Sequence, residues 1–158
     1  IMKKNLIKTL LIAYVFLVGC GFKAINQSEM ISFDIAEIET LGNKIINFKL
    51  KNKLQVRSKE SDKQLIKISL NTSKLKKIKE KNIQNQITKY DIKIAVTVGA
   101  RLINERDEIK FSVSESGSYN VNNQHSLTLR NEKKLVDLLV DSLAKKILYQ
   151  LRISLDDL

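Results

Sequence analysis

The 158-residue sequence contains no proline, one cysteine, one histidine, five scattered glycines and few aromatic residues. Each scarcity excludes something. A single thiol, Cys20, leaves no disulfide to hold the fold. With one histidine and no other cysteine, a zinc site would need several carboxylates beside His125, and no such cluster occurs. The glycines stand at 19, 21, 42, 99 and 117, so no glycine-rich phosphate loop is present. No serine lies in a nucleophile elbow, which leaves His125, in a polar loop, without a triad to serve. Glu105, Asp107 and Glu108 fall together in a turn, where solvation of a hairpin explains them better than acid–base chemistry does. Long Gly/Ser linkers are also missing, so the bulk of the chain reads as one domain with one modest core. These features describe a binding or structural protein, not an enzyme, and imply no cofactor.

What is present begins with the N-terminal stretch. Lys3, Lys4 and Lys8 form a short positive segment, and Thr9 to Val18 is an uncharged, mostly apolar run. The run has the length of a signal-peptide core and is too short to span a bilayer, which takes ~20 apolar residues as helix. A buried core helix would carry polar residues along one face, and this run has almost none. It ends in Leu17-Val18-Gly19-Cys20, which resembles the lipobox of bacterial lipoproteins. The resemblance implies cleavage before Cys20 and lipidation of its thiol and freed amine. Three acyl chains, at ~0.8 kcal/mol per buried CH₂, would anchor the chain permanently where one would be marginal. Residue 21 is glycine, not aspartate, which by the same resemblance favours the outer membrane. The expected organisation is a signal peptide over 1–19, a lipidated cysteine and polar tether over 20–30, and a single domain over 31–158.

The whole chain carries 28 basic and 17 acidic residues, +11 in all; the segment before Cys20 holds three of the lysines and no acid, so the remainder carries +8. Asn, Lys and Ile are heavily used, as in AT-rich genomes, so part of this charge is codon habit. One cluster stands out: Lys74, Lys76, Lys77, Lys79 and Lys81 in SKLKKIKEK. Such a run can bind polyanions such as lipid phosphates or can simply solvate a hairpin. Nucleic acid is a poor candidate, because export removes the domain from it and few aromatics are available to stack on bases.

Periodicity predicts the elements. ISFDIAEI alternates, with Ile31, Phe33 and Ile35 on one side and Ser32, Asp34 and Ala36 on the other, as in a half-buried strand. Gly42 breaks the chain. NKIINFKLKNKLQ carries a helical stripe, Ile46, Leu50 and Leu54, although Ile46, Phe48 and Leu50 also alternate as a strand would. Ser58 to Lys63 is a charged turn. Ile66, Ile68, Leu70 and Thr72 share a face of a second strand; Leu75 breaks the parity, predicting a bulge or the start of a loop. Tyr90, Ile92, Ile94, Val96, Val98 and Leu102 point one way in a third strand, and Asp91, Lys93, Thr97 and Arg101 the other. NERDE is a turn. Ile109, Phe111 and Val113 face inward in a fourth strand, with Lys110, Ser112 and Ser114 outward. From about Asn131 to Ile153, a helix carries Val136, Leu139, Val140, Leu143, Ile147 and Leu151 on one stripe, with Lys134, Asp137, Asp141 and Lys145 opposite. The order β-α-β-β-β-α predicts an α+β two-layer sandwich: a four-stranded, mostly antiparallel sheet covered on one face by two helices, with a Lys-, Ser- and Thr-rich face left open.

The combination of Gly19-Cys20-Gly21-Phe22, a strand and helix, the KYDIKIAVTVGARL and IKFSVSESGSYNV strands and the closing NEKKLVDLLVDSLAKKILYQL helix resembles the LPS-assembly lipoprotein family LptE. The likeness covers nearly all of the chain after Cys20 and lies in order and pattern. It implies a non-catalytic lipoprotein that sits in the lumen of the outer-membrane β-barrel LptD in a one-to-one complex. There it would plug the barrel, help it assemble and assist lipopolysaccharide insertion at the cell surface. Lys74, Lys76, Lys77, Lys79, Lys81 and Arg101 are then the candidate contacts for lipid phosphates or for the lumen. The alternative is a stand-alone periplasmic lipoprotein that binds an anionic polymer or cell-wall component.

Overall fold

A computed structural model describes residues 33–55, 64–103 and 107–156. The proposed signal peptide, Cys20, the tether, Ile31 and the 58–63 turn lie outside the described residues, as does Glu105. The chain forms β1 (Phe33–Gly42), α1 (Lys44–Leu54), β2 (Gln64–Lys81), β3 (Ile87–Leu102), β4 (Ile109–Asn120) and α2 (His125–Asp156). The strands lie side by side in the order β1-β2-β3-β4. β1 pairs with β2 in parallel. β2–β3 and β3–β4 are antiparallel. Both helices cover one face of the sheet, as the sequence predicts.

The inner face is built by strict alternation. Ile66, Ile68 and Leu70 of β2 and Ile92, Ile94, Val96 and Val98 of β3 are almost completely buried. They meet Ile46, Leu50 and Leu54 of α1 and Val140, Leu143, Ile147 and Leu151 of α2. Segment 43–55 is the helix rather than the strand. Asn43 caps it by accepting from Ile46 N–H through Oδ1 at 3.1 Å. Its period places Phe48 in solvent while Ile46 and Leu50 are buried.

Several expectations are corrected. Leu75 marks neither bulge nor loop: β2 continues in unbroken register, Leu75 opposite Lys93, and the side chain lies on the outer face. The irregularities fall elsewhere, at Ala36 in β1 and around Lys79 and Glu80 in β2. The extra residue at Ala36 resets the parity, so that Ile38 joins Ile35 against the core. α2 starts at His125, which is therefore an exposed helix-terminal residue and not part of a loop. Asp137 and Asp141 do not stand opposite the apolar stripe but flank it, still partly exposed. Lys49 Nζ lies 2.6 Å from Asp137, and Lys53 pairs with Asp141. Both pairs step by four residues in the same sense, so the two helices run parallel to each other.

The turn from β1 into α1 is tight. Gly42 has φ +97°, and a Cβ there would stand 2.0 Å from the Thr72 carbonyl oxygen. Gly42→Ala is therefore expected to destabilise the protein by at least ~2 kcal/mol, through left-handed strain and a backbone clash together. Urea denaturation followed by circular dichroism checks this; an unchanged midpoint would show that the turn relaxes freely.

Candidate functional site

The five hairpin lysines divide by strand parity. Because β2 stays regular beyond Leu75, Lys74 and Lys76 continue the inner row begun by Ile66, Ile68, Leu70 and Thr72. They reach the helix layer, where Glu132 of α2 meets both. Lys74 Nζ donates to one carboxylate oxygen at 2.7 Å and Lys76 Nζ to the other at 2.7 Å. The Tyr119 hydroxyl also donates to Glu132, at 2.9 Å. Tyr90 and Tyr119 face each other across β3 and β4 with ring centroids 5.7 Å apart. The Lys76 ammonium sits 4.3 Å from the Tyr90 ring centre. Burial alone would raise the Glu132 carboxyl, but hydrogen bonds from Lys74, Lys76 and Tyr119 overcome it and lower the pKa to about 2. Burial pushes the Tyr119 phenol up. Lys76 is raised despite burial, held charged by its bond to Glu132. These two lysines therefore tie the hairpin to α2.

The other three point to solvent. Lys79 bonds Ser118 at 2.6 Å and pairs with Asp91 at 3.0 Å. The hydrogen bond from Ser118, then that from Lys79, lowers the Asp91 carboxyl. Lys81 donates to the Asn85 side chain at 2.9 Å. The Lys77 side chain makes no ion pair or hydrogen bond among the described residues. The hairpin tip between these strands is well braced: Asn82 Oδ1 accepts from the N–H groups of Gln84 and Gln86, and Asn85 takes φ 63°. This turn holds Ile83 98% exposed at the apex.

Arg101 is not part of this group. It pairs across the strands with Lys67, whereas Lys74 lies opposite Ile94. Seven residues of β3 separate Arg101 from Ile94, roughly 24 Å at ~3.4 Å per residue. Arg101 lines a shallow hollow on the open face with Glu39, Lys67, Ser69, Gly99 and Glu108. There Lys67 pairs with Glu37 at 2.7 Å; that contact first, and Arg101 more weakly, lowers the Glu37 carboxyl.

Between the two basic zones the open face is small and hydroxylic. Ser112, Ser114, Ser116 and Ser118 of β4 stand beside Thr97, Ala95, Lys93 and Asp91 of β3. Ser69, Asn71 and Ser73 of β2 complete the row. No group of three or more His, Cys, Asp or Glu side chains among the described residues is placed to hold a metal. The arrangement can bind anions and make hydrogen bonds.

Sequence reasoning missed Glu132 as the partner of the inner lysines. The signal is present, since Glu132 lies four residues before Val136 on the buried stripe, where a charge needs a partner.

The sequence matches no protein-family model and no curated protein. Solved structures do share the fold. Rare lipoprotein B from Shewanella oneidensis superposes with a TM-score of 0.58 at 13% identity, over 77% of this chain and 97% of that one. A putative lipoprotein from Caulobacter crescentus CB15 gives 0.53 at 16%, over 76% and 90%. Uncharacterized lipoprotein B from Nitrosomonas europaea gives 0.52 at 15%, over 87% and 94%. At these identities the likeness is one of fold.

Glu132→Gln is expected to cost about 2 kcal/mol at neutral pH, by leaving two partly buried lysines without a counter-charge. The sign with pH follows from the lowered carboxyl. Its contribution is complete above the unfolded value near 4.5 and is lost as pH falls toward about 2. Denaturation of both proteins across that range should show their stabilities converging at acid pH; a constant gap would mean that the ionised carboxylate of Glu132 is not the source of the stability.

Proposed function

We propose that this chain is a non-catalytic lipoprotein of the outer membrane, anchored through acyl chains on Cys20. In this reading it plugs and helps assemble an LptD-like β-barrel in a one-to-one complex and assists the insertion of lipopolysaccharide at the cell surface. One observation carries the reading: a lipobox at Leu17–Cys20 precedes a domain whose fold is that of solved lipoproteins. Support comes also from the open face, whose serine rows and unburied lysines suit the hydrophilic lumen of a large barrel and the phosphates of lipid A. No catalytic step is proposed and no cofactor is required.

The reading separates the lysines into two roles. Charge reversal at Lys77, Lys79 and Lys81 is expected to weaken lipopolysaccharide binding at least ~10-fold, at ~1 kcal/mol per exposed cation near an anionic surface, and to lower stability only slightly, through loss of the exposed Lys79–Asp91 pair. Reversal at Lys74 and Lys76 should destabilise the fold instead. Binding of labelled lipopolysaccharide, paired with thermal unfolding of each variant, distinguishes the two; unchanged affinity in the triple variant would remove the hairpin from the binding surface.

The reading as a whole is tested by purifying the tagged lipoprotein from outer membranes in mild detergent. A large β-barrel present in equimolar amount is the expected result. A monomer that leaves the membrane alone would favour a stand-alone periplasmic lipoprotein binding an anionic polymer or cell-wall component.

A further inference from the structure

The two edges of the sheet are built differently. β1 closes one edge with an irregularity at Ala36 and with the acidic side chains of Asp34, Glu37 and Glu39, which are familiar guards against unwanted strand pairing. β4 closes the other without an irregularity. Its pairing with β3 runs from Ala100–Ile109 to Lys89–Asn120 without a register shift, and no described strand lies on its outer side. Its charged side chains are already engaged. Glu115 accepts from Ser142 at 2.6 Å and from Lys146 at 2.7 Å, and Lys110 pairs with Glu108 at 2.8 Å. An edge strand of this kind presents alternate N–H and C=O groups outward.

Above that edge runs a flank of α2. Leu138, Ser142, Lys146, Tyr149 and Ile153 follow at steps of three and four residues and so share one side of the helix. Ser142 and Lys146 place that side over β4 through their bonds to Glu115. Gly117 lets the helix approach, since a Cβ there would meet Leu135 Cδ1 at 2.7 Å. Leu138 is 57% and Tyr149 66% exposed. Leu135, Leu138 and Lys134 line a hollow with Ser118, Tyr119 and Asn120 at the end of β4. The Lys134 side chain makes no ion pair or hydrogen bond among the described residues.

We infer that this shelf, the free β4 edge under the Leu138–Tyr149 flank, docks an extended strand of a partner protein whose side chains on the α2 side are apolar, with one acidic residue among them opposite Lys134. The edge supplies the main-chain ladder, the flank receives the apolar side chains, and Lys134 meets a carboxylate. A second copy of the chain fits poorly, because each copy carries +8 after Cys20 and like charge opposes the pairing. The wall of a closed barrel fits no better, because closure leaves it no free edge. The docked strand must therefore come from a segment outside such a wall, which makes this site independent of the lumen contacts proposed above.

The probe is a synthetic peptide of about twelve residues with serine at alternate positions and valine between them, one valine near one end replaced by glutamate, added to the full chain in detergent micelles. Saturable binding by fluorescence polarisation is expected, with hydrogen exchange of alternate β4 amides slowed at least ~10-fold. Methylating the peptide nitrogens along one edge should abolish binding, and Leu138→Glu should weaken it at least ~10-fold. Equal binding by the methylated peptide, or protection confined to the Lys77–Lys81 hairpin, would overturn the inference. So would a β4-mediated dimer of the free chain in sedimentation.

Discussion

The passage from β1 into α1 is the constraint on which the rest of the architecture depends. Every other pairing in the sheet joins neighbours through a hairpin; only β1–β2 is parallel, and it needs a crossover. Gly42 makes the turn and Thr72 of β2 receives it. The Thr72 hydroxyl donates to Asn47 Oδ1 at 2.6 Å, and Asn47 Nδ2 donates to the Leu41 carbonyl at 3.2 Å. The Asn43 N–H reaches the Thr72 carbonyl at 3.1 Å. Among the described residues, Asn47 and Thr72 are the buried polar ones in an otherwise apolar core. Displacing β1 by one residue would leave them unpaired and turn its apolar row outward. The register of the parallel pair and the seat of α1 are thus set by one knot.

From that register the parity of the long hairpin follows. β2 and β3 keep one alternation from Ile66 to Ile78, longer than the purely apolar core requires. The alternation carries past Thr72 to Lys74 and Lys76, which must then lie under α2. Two inward ammonium groups are tolerable only with a counter-charge, and Glu132 with Tyr119 supplies it. The same parity turns Leu75 and Lys77 outward. A lysine-rich segment that reads as one patch is in space two groups with different work, one fastening a helix and one facing water.

Much of this was legible in the sequence. The inner rows of β3 and β4 and the stripes of both helices come directly from spacing, because each element has one wet face. The element order and sheet type follow from them. What resisted reading depends on contacts between elements. Ala36 is small enough to be extruded, but nothing local says that it is. Leu75 breaks the apolar pattern without breaking the strand, since hairpin pairing with Lys93 outweighs one exposed leucine. Asp137 and Asp141 look like solvated acids until Lys49 and Lys53 arrive from α1. Arg101 belongs by charge with the hairpin lysines, yet strand length separates them.

Strand length also bears on how an anchored domain would work. β1 begins opposite Gln64, and the hairpin tip follows Lys81 at the far end of β2. Seventeen residues of strand lie between, roughly 56 Å at ~3.3 Å each. In the proposed reading, thirteen residues join Cys20 to Phe33, with a fully extended reach of at most about 45 Å. The anchor end and the lysine end are then farther apart than a bilayer is thick, about 40–45 Å with headgroups. A domain standing upright from the inner leaflet would carry Lys77, Lys79, Lys81 and Ile83 to the level of the opposite surface. A domain lying flat would instead bring its hydroxyl-lined face and hairpin onto the leaflet that holds the anchor. In the proposed reading, the upright posture is the one in which the two ends of the long hairpin meet different layers of the membrane.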